Sequence, residues 1–201
     1  AKPPTRIVVA ATNDPMPAPL SPHSLKSIVT REKRGGWLQR LLAYKWLLGL
    51  GGVVLACDQA SKLWIQAHLP FGTYGTPGAI PVIPDFFYLV HVGNTGAAWS
   101  MLSGRSLLLA ILAGVTLVAI FVWRRALGLR HPLVQISFGL LCGGIVGNLI
   151  DRLRCQHVID FLDFHFGNYI YPTFNLADSG ICVGVALYVG LTLFVAPRQN
   201  P

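Results

Sequence analysis

Apolar residues gather in four long windows set apart by polar, glycine-rich and proline-rich connections. The windows run Trp46 to Ile65, Ser106 to Trp123, Leu133 to Ile150 and Ser179 to Val195. A helix that crosses a bilayer needs about 20 mostly apolar residues, so each window predicts a spanning helix. The second, SLLLAILAGVTLVAIFVW, carries no ionisable side chain. The third follows Pro132, a residue suited to the first turn of a helix, and the fourth stops short of Pro197. The first is irregular, because only twelve uncharged residues separate Lys45 from Asp58. If that segment spans, Asp58 lies inside the outer third of the membrane.

The connections differ in kind. Residues 66–105 hold LPFGTYGTPGAIPVIP, punctuated by Pro and Gly, and then FFYLVHVGNTGAAWSML, rich in β-branched and aromatic residues. This pattern predicts short strands forming a small β-rich outer cradle. The connection 151–173 carries HVIDFLDFHFGNYIY, which reads as another strand or an interfacial segment.

Composition agrees with a membrane protein. Of the 201 residues, 53% are hydrophobic and 12% are charged, against roughly a quarter charged in an ordinary soluble domain. The chain is too apolar for a disordered protein and has too few charges for a compact soluble domain of this size. The net charge of +8 is a poor nucleic-acid footprint when so many apolar residues must first be hidden. No nucleic-acid partner is expected.

The basic residues sort by side. Residues 1–45 hold eight Lys or Arg, the connection after the second window holds Arg124, Arg125 and Arg130, and Arg198 follows the fourth. Lys62, Arg105, Arg152 and Arg154 fall on the other side. The excess of positive charge predicts both termini in the cytoplasm. Six acids lie on the outer side or at its boundary: Asp58, Asp85, Asp151, Asp160, Asp163 and Asp178. The fold class expected is therefore an all-α integral membrane protein with four transmembrane helices and a small outer sheet.

Residues 1–36, with PMPAPLSP and then REKRGG, read as a flexible basic tail on the anionic inner leaflet, leaving 37–201 as the membrane domain. No window reads as a cleavable secretory signal, since more than forty residues with many charges precede the first. Cys57, Cys142, Cys155 and Cys182 lack metal-ligand spacing, so no metal is expected. Val54 to Cys57 loosely matches a lipobox, but three more apolar windows follow it and Asp58-Gln59 continues a helical pattern.

Ionisable groups at membrane depth are expensive, and each one raises a functional question. Asp58 is four residues before Lys62, the spacing of a helical ion pair. Asn148, Asp151 and Arg152 share one helix face in GGIVGNLIDR, a pattern that also suits a structural polar clasp. Gly143, Gly144 and Gly147 there admit a close neighbouring helix. Asp160, in VIDFLDF, and Asp178, in TFNLADSG, are half-desolvated carboxylates at the same boundary. Brought together, two such groups share one proton, the arrangement with which aspartic proteases activate water and polarise a carbonyl. Spacing leaves Asp163 as a rival to Asp160, and leaves open that the acids act separately. No GxSxG or HExxH motif offers a serine or zinc alternative. A transporter or proton channel needs acids along a path through the bilayer, whereas these cluster at one boundary.

The blocks CDQASK (57–62), GNTGAAWS (93–100), GGIVGNLIDR (143–152), VIDFLDFH (158–165) and FNLADS (174–179) give the chain a resemblance to the lipoprotein signal peptidases, or signal peptidase II family. The resemblance covers about residues 45–195. It implies a bacterial inner-membrane, multi-pass aspartic endopeptidase, active at the outer face without a cofactor. Its implied substrate is a diacylglyceryl-modified prolipoprotein, cleaved just before the lipidated Cys. By motif, Asp160 and Asp178 correspond to the catalytic pair. Asp58, Asn94, Gly144, Asn148, Asp151, Arg152, Asn175 and Ala177 correspond to further signature positions that bind substrate or support the site. Trp99 stands where the family commonly has Phe, and the long basic tail is not typical of it. Membrane lipids are the other expected partner, and a monomer is the expected state.

Overall fold

The computed structural model describes residues 36–75, 78–97 and 101–194. The basic tail and Trp99 lie outside these residues. A short helix α1 (Trp37–Leu42) precedes α2 (Lys45–His68). Two strands follow, β1 (Ile80–Ile83) and β2 (Phe87–Asn94). Then come α3 (Ser106–Val122), α4 (Pro132–Cys155), β3 (Val158–Phe166), β4 (Tyr169–Ile170) and α5 (Leu176–Phe194). The protein is mostly helical with one small antiparallel sheet of order β1-β2-β3-β4.

Helices α4 and α5 are each long and apolar enough to cross a membrane, and α3 is a shorter apolar helix of 17 residues. Helix α2 is as long as α4, at 24 residues, but buries Asp58 and Lys62 in its second half. Helix α4 outruns its apolar window by five residues, ending at Cys155 instead of Ile150. Its last turn carries Asp151, Arg152 and Arg154, and Gln156 in a left-handed conformation (φ 64°) ends it. Apolar periodicity cannot see a turn held by polar contacts, so the sequence pattern stops short.

Helix α4 is central. Its glycines let α2 and α5 approach on two sides. A Cβ on Gly143 would stand 2.7 Å from the Gly51 carbonyl oxygen of α2, and one on Gly144 would collide with the Ala177 carbonyl of α5. Small residues at helix seams act this way where lipid offers no hydrophobic drive to associate. At the other end of α4, buried Gln135 accepts from the Trp46 N–H at 3.2 Å and donates to the Ala43 carbonyl at 2.8 Å. That pins the start of α2.

The sheet draws its strands from both long connections. Strand β2, from the first, pairs with β3, from the second, with Val92 opposite Asp160 and Asn94 opposite Val158. The register shifts between Leu89 and Val92. Alternation along β3 sends Ile159 and Phe161 into a core with Ile65 and Leu69 at the end of α2. Asp160, between them, faces the opposite way.

Candidate active site

Asp160 on β3 and Asp178 in the first turn of α5 line one cavity of about 770 Å³ together with Asn94, Asn148 and Arg152. Each carboxylate is held by amides. Asn175 donates from Nδ2 to Asp160 Oδ1 at 2.7 Å, and Asn94 donates from Nδ2 to Asp160 Oδ2 at 3.0 Å. Asn148 donates from Nδ2 to Asp178 Oδ1 at 2.7 Å. The backbone N–H of Asn175 donates to Asp178 Oδ2 at 3.3 Å.

Local structure explains why these groups converge. Asn175 precedes α5, and its Oδ1 accepts the Asp178 N–H at 2.9 Å. With the return bond from the Asn175 N–H to Asp178, this is a reciprocal cap of the first helical turn. The cap therefore fixes the rotamer of Asp178. On the sheet, Asn94 and Asp160 are diagonal neighbours on one face, within reach of each other's side chains. Asn94 Oδ1 also accepts the Gly96 N–H at 2.9 Å, which turns the chain away from β2.

The electrostatics follow from burial. Asp160 is 2% exposed. Desolvation first, and then the charge of Asp178, push its carboxyl up to about 7, against the smaller opposing pull of the two amide donors and Lys62. Two carboxylates so placed resist ionising together.

Behind the pair lies a second charged cluster. Lys62 is 1% exposed, and its Nζ donates to Asp58 Oδ2 at 2.9 Å, Asp151 Oδ2 at 2.7 Å and Asn148 Oδ1 at 3.0 Å. The Asp58–Lys62 helical pair expected from spacing is present, and Asp151 joins it from α4. Gln59 Nε2 lies 3.2 Å from an oxygen of each acid. Arg152 lies on the same face of α4 as Asn148, donating to its carbonyl at 3.4 Å and to the Gly96 carbonyl at 3.0 Å. Its Nε is buried and has no hydrogen-bond partner among the described residues.

The remaining sequence candidates take other places. Ala177 contributes its backbone, donating its N–H to Asp58 Oδ1 at 2.9 Å. Gly144 contributes the absence of a side chain where α4 meets that same residue. Asp163 is fully buried but does not line that cavity; it accepts from His165 Nε2 at 2.7 Å and from Thr173 Oγ1 at 3.4 Å. Lys62 and Gln59 are the polar residues that motif reading undervalued. The signal for Lys62 was its type: a second ionisable group deep in an otherwise apolar helix. A shallower groove along α5, lined by Cys182, Val185, Val189 and Leu193, carries no carboxylate, amide or basic side chain.

A small antiparallel sheet and glycine-seamed apolar helices together hold an amide-held pair of carboxylates, Asp160 buried and Asp178 half-buried. The family model described as signal peptidase (SPase) II matches residues 50–194, and the chain belongs to that family of peptidases. It is 38% identical over 165 residues to the lipoprotein signal peptidase of Nitratidesulfovibrio vulgaris (strain DP4), covering 80% of this chain and 93% of that protein. It is 42% identical over 149 residues to the lipoprotein signal peptidase of Oleidesulfovibrio alaskensis, covering 72% and 92%. Among solved structures, a bacterial membrane enzyme determined by the in meso method superposes with a TM-score of 0.67 at 29% identity, over 77% of this chain and 92% of that one.

Proposed function

We infer that the protein removes signal peptides from prolipoproteins and does so as an aspartic endopeptidase, with Asp160 and Asp178 as the catalytic pair. The observation that carries this reading is that both carboxylates line one cavity and each is oriented by amide donors. Family membership supports the substrate class.

The chemistry needs a shared proton and a water. The pair titrates jointly, and we assign the shared proton to Asp160, the more buried member, whose carboxyl is raised to about 7. Asp178 stands at the N-terminus of α5, where the helix dipole favours a negative charge. Its carboxylate takes a proton from the water as the oxygen attacks the scissile carbonyl. Asp160 donates a hydrogen bond to the developing oxyanion, and the proton passes to the leaving amine as the C–N bond breaks. Asn94, Asn148 and Asn175 keep the oxygens aimed. Arg152, which lines the cavity, holds the Gly96 turn through its guanidinium.

The topology proposed has four spans, α2 to α5, with both termini in the cytoplasm of a bacterial inner membrane. The site then lies at the outer boundary, where a diacylglyceryl-modified Cys anchors the substrate and cleavage falls just before it. Residues 37–201 form the membrane domain, which acts as a monomer among membrane lipids. No metal or cofactor takes part.

The test is incubation of the purified protein with a diacylglyceryl-modified precursor and sizing of the product. The parent is expected to cleave, while D160N and D178N are expected to remain folded and inactive. Retained turnover in either variant removes the assignment.

A further inference from the structure

Lys62 is the one basic residue among the described residues with a side chain only 2% exposed in an ion pair, and it lies outside the cavity that holds Asp160 and Asp178. An ammonium has three donors and no acceptor. Here the three go to Asp58, Asp151 and Asn148, so nothing is left over for substrate. What those partners hold next is informative. Asp58 Oδ1 accepts the N–H of Ala177, the residue before Asp178. Asp151 Oδ2 accepts the N–H of Ile159, the residue before Asp160, at 3.2 Å. The two counter-ions of Lys62 thus grip the backbone at the shoulder of each member of the pair.

The third partner carries orientation. Asn148 presents Oδ1 to Lys62, and a flipped amide would set its NH₂ against the ammonium. Lys62 therefore fixes which end of Asn148 faces Asp178, namely the donor. Asn148 Oδ1 also accepts from Asn175 Nδ2 at 3.2 Å, and that same Nδ2 reaches Asp160. One ammonium in this way sets the direction of two of the three amides that hold the carboxylates, Asn148 and Asn175.

We propose that Lys62 is a positioning residue for the reaction: held by Asp58 and Asp151, it orients Asn148 and Asn175, and through them one oxygen each of Asp178 and Asp160. The proposal rests on the reading of Asp160 and Asp178 as the catalytic pair. Misplacing a reacting group by an ångström costs about 100-fold in rate, and a residue with no substrate contact leaves binding intact.

The test compares the full-length protein with K62M and with the double variant D58N/K62M, using a diacylglyceryl-modified precursor to separate kcat from KM. The double variant removes one acid together with the ammonium, so it lacks the extra unpaired carboxylate that is expected to destabilise K62M. Both are expected to lose about 100-fold in kcat with KM within about threefold of the parent. If folded K62M, or the double variant, keeps kcat close to the parent, Lys62 serves only to balance charge and the proposal is overturned. If neither variant folds, Lys62 is a determinant of the fold and the proposal is overturned as well. D160N and D178N run alongside: turnover in either one refutes the catalytic pair itself, whatever Lys62 does.

Discussion

Asn175 and Asp178 cap each other across the first turn of α5, with the Asp178 N–H on Asn175 Oδ1 at 2.9 Å and the Asn175 N–H on Asp178 Oδ2 at 3.3 Å. A motif that ordinarily only starts a helix here also fixes a carboxylate in the site. Because Asn175 Nδ2 also reaches Asp160, one residue caps the helix and contacts both acids, Asp160 through its side chain and the Asp178 carboxylate through its backbone N–H.

Asn175→Ala removes the side-chain half of the cap and the donor to Asp160. Loss of such a cap costs about 1–2 kcal/mol. Turnover falls further than this stability loss implies, by about 100-fold, because Asp160 loses an orienting donor and the turn that seats Asp178 loses its side-chain cap. Thermal unfolding and single-turnover cleavage of the same preparation check the two effects. A variant with reduced stability and parental turnover contradicts the joint role.

The Asp160 carboxyl, pushed up to about 7 by burial and by Asp178, makes a signed prediction about pH. Unfolded, an aspartic acid loses its proton near pH 4, by its ordinary pKa of about 3.9. The native state holds that proton up to about 7, so it binds more protons between these values. This contribution to stability is complete below about pH 4 and is lost as pH rises toward about 7. D160N flattens that slope. In the parent, kcat/KM falls above about pH 7, where the proton donor is lost. Unfolding midpoints and kcat/KM across this range test both, and a parent profile still rising above pH 8 contradicts the second.

Much of this site was legible along the chain. The helix face shared by Asn148, Asp151 and Arg152 followed from spacing, as did the Asp58–Lys62 pair and the need for close approach at Gly143 and Gly144. The choice between Asp160 and Asp163 was not, because strand alternation says only that they face opposite ways. It took the packing of Ile159 and Phe161 onto Ile65 and Leu69 to show which face is which. The grip of Asp58 and Asp151, the two counter-ions of Lys62, on both shoulders of the pair was also hidden. Its contacts join α2 to α4, α5 and β3, and no local pattern encodes contacts between residues as distant as Asp58 and Ala177.

Asp163→Asn separates the two acids that spacing left as rivals. Asp163 pairs with His165 and Thr173 and does not itself line the cavity that holds Asp160 and Asp178. Losing that buried charge-assisted contact costs about 1–3 kcal/mol. Cleavage by the folded variant is expected to stay within about threefold of the parent, since no transition-state contact is lost. An inactive but stable D163N shows that the wrong acid has been assigned.

Gly144→Ala tests how tightly the helix seam controls the site. The added methyl meets the Ala177 carbonyl and the Ile181 side chain, at 2.8 Å from Ile181 Cγ1, so α5 must shift away from α4. Overpacking of this kind costs about 1–3 kcal/mol. The shift falls one residue before Asp178 and breaks into the Ala177 bond to Asp58, so turnover falls along with stability. Gly114→Ala is the control, because a Cβ there meets nothing within 4 Å. That change is expected to stabilise α3 by about 0.5–1 kcal/mol, the ordinary gain of replacing a mid-helix glycine. Thermal unfolding and cleavage of both variants decide the point: a Gly144→Ala protein as stable and active as Gly114→Ala means that the seam yields without moving Asp178.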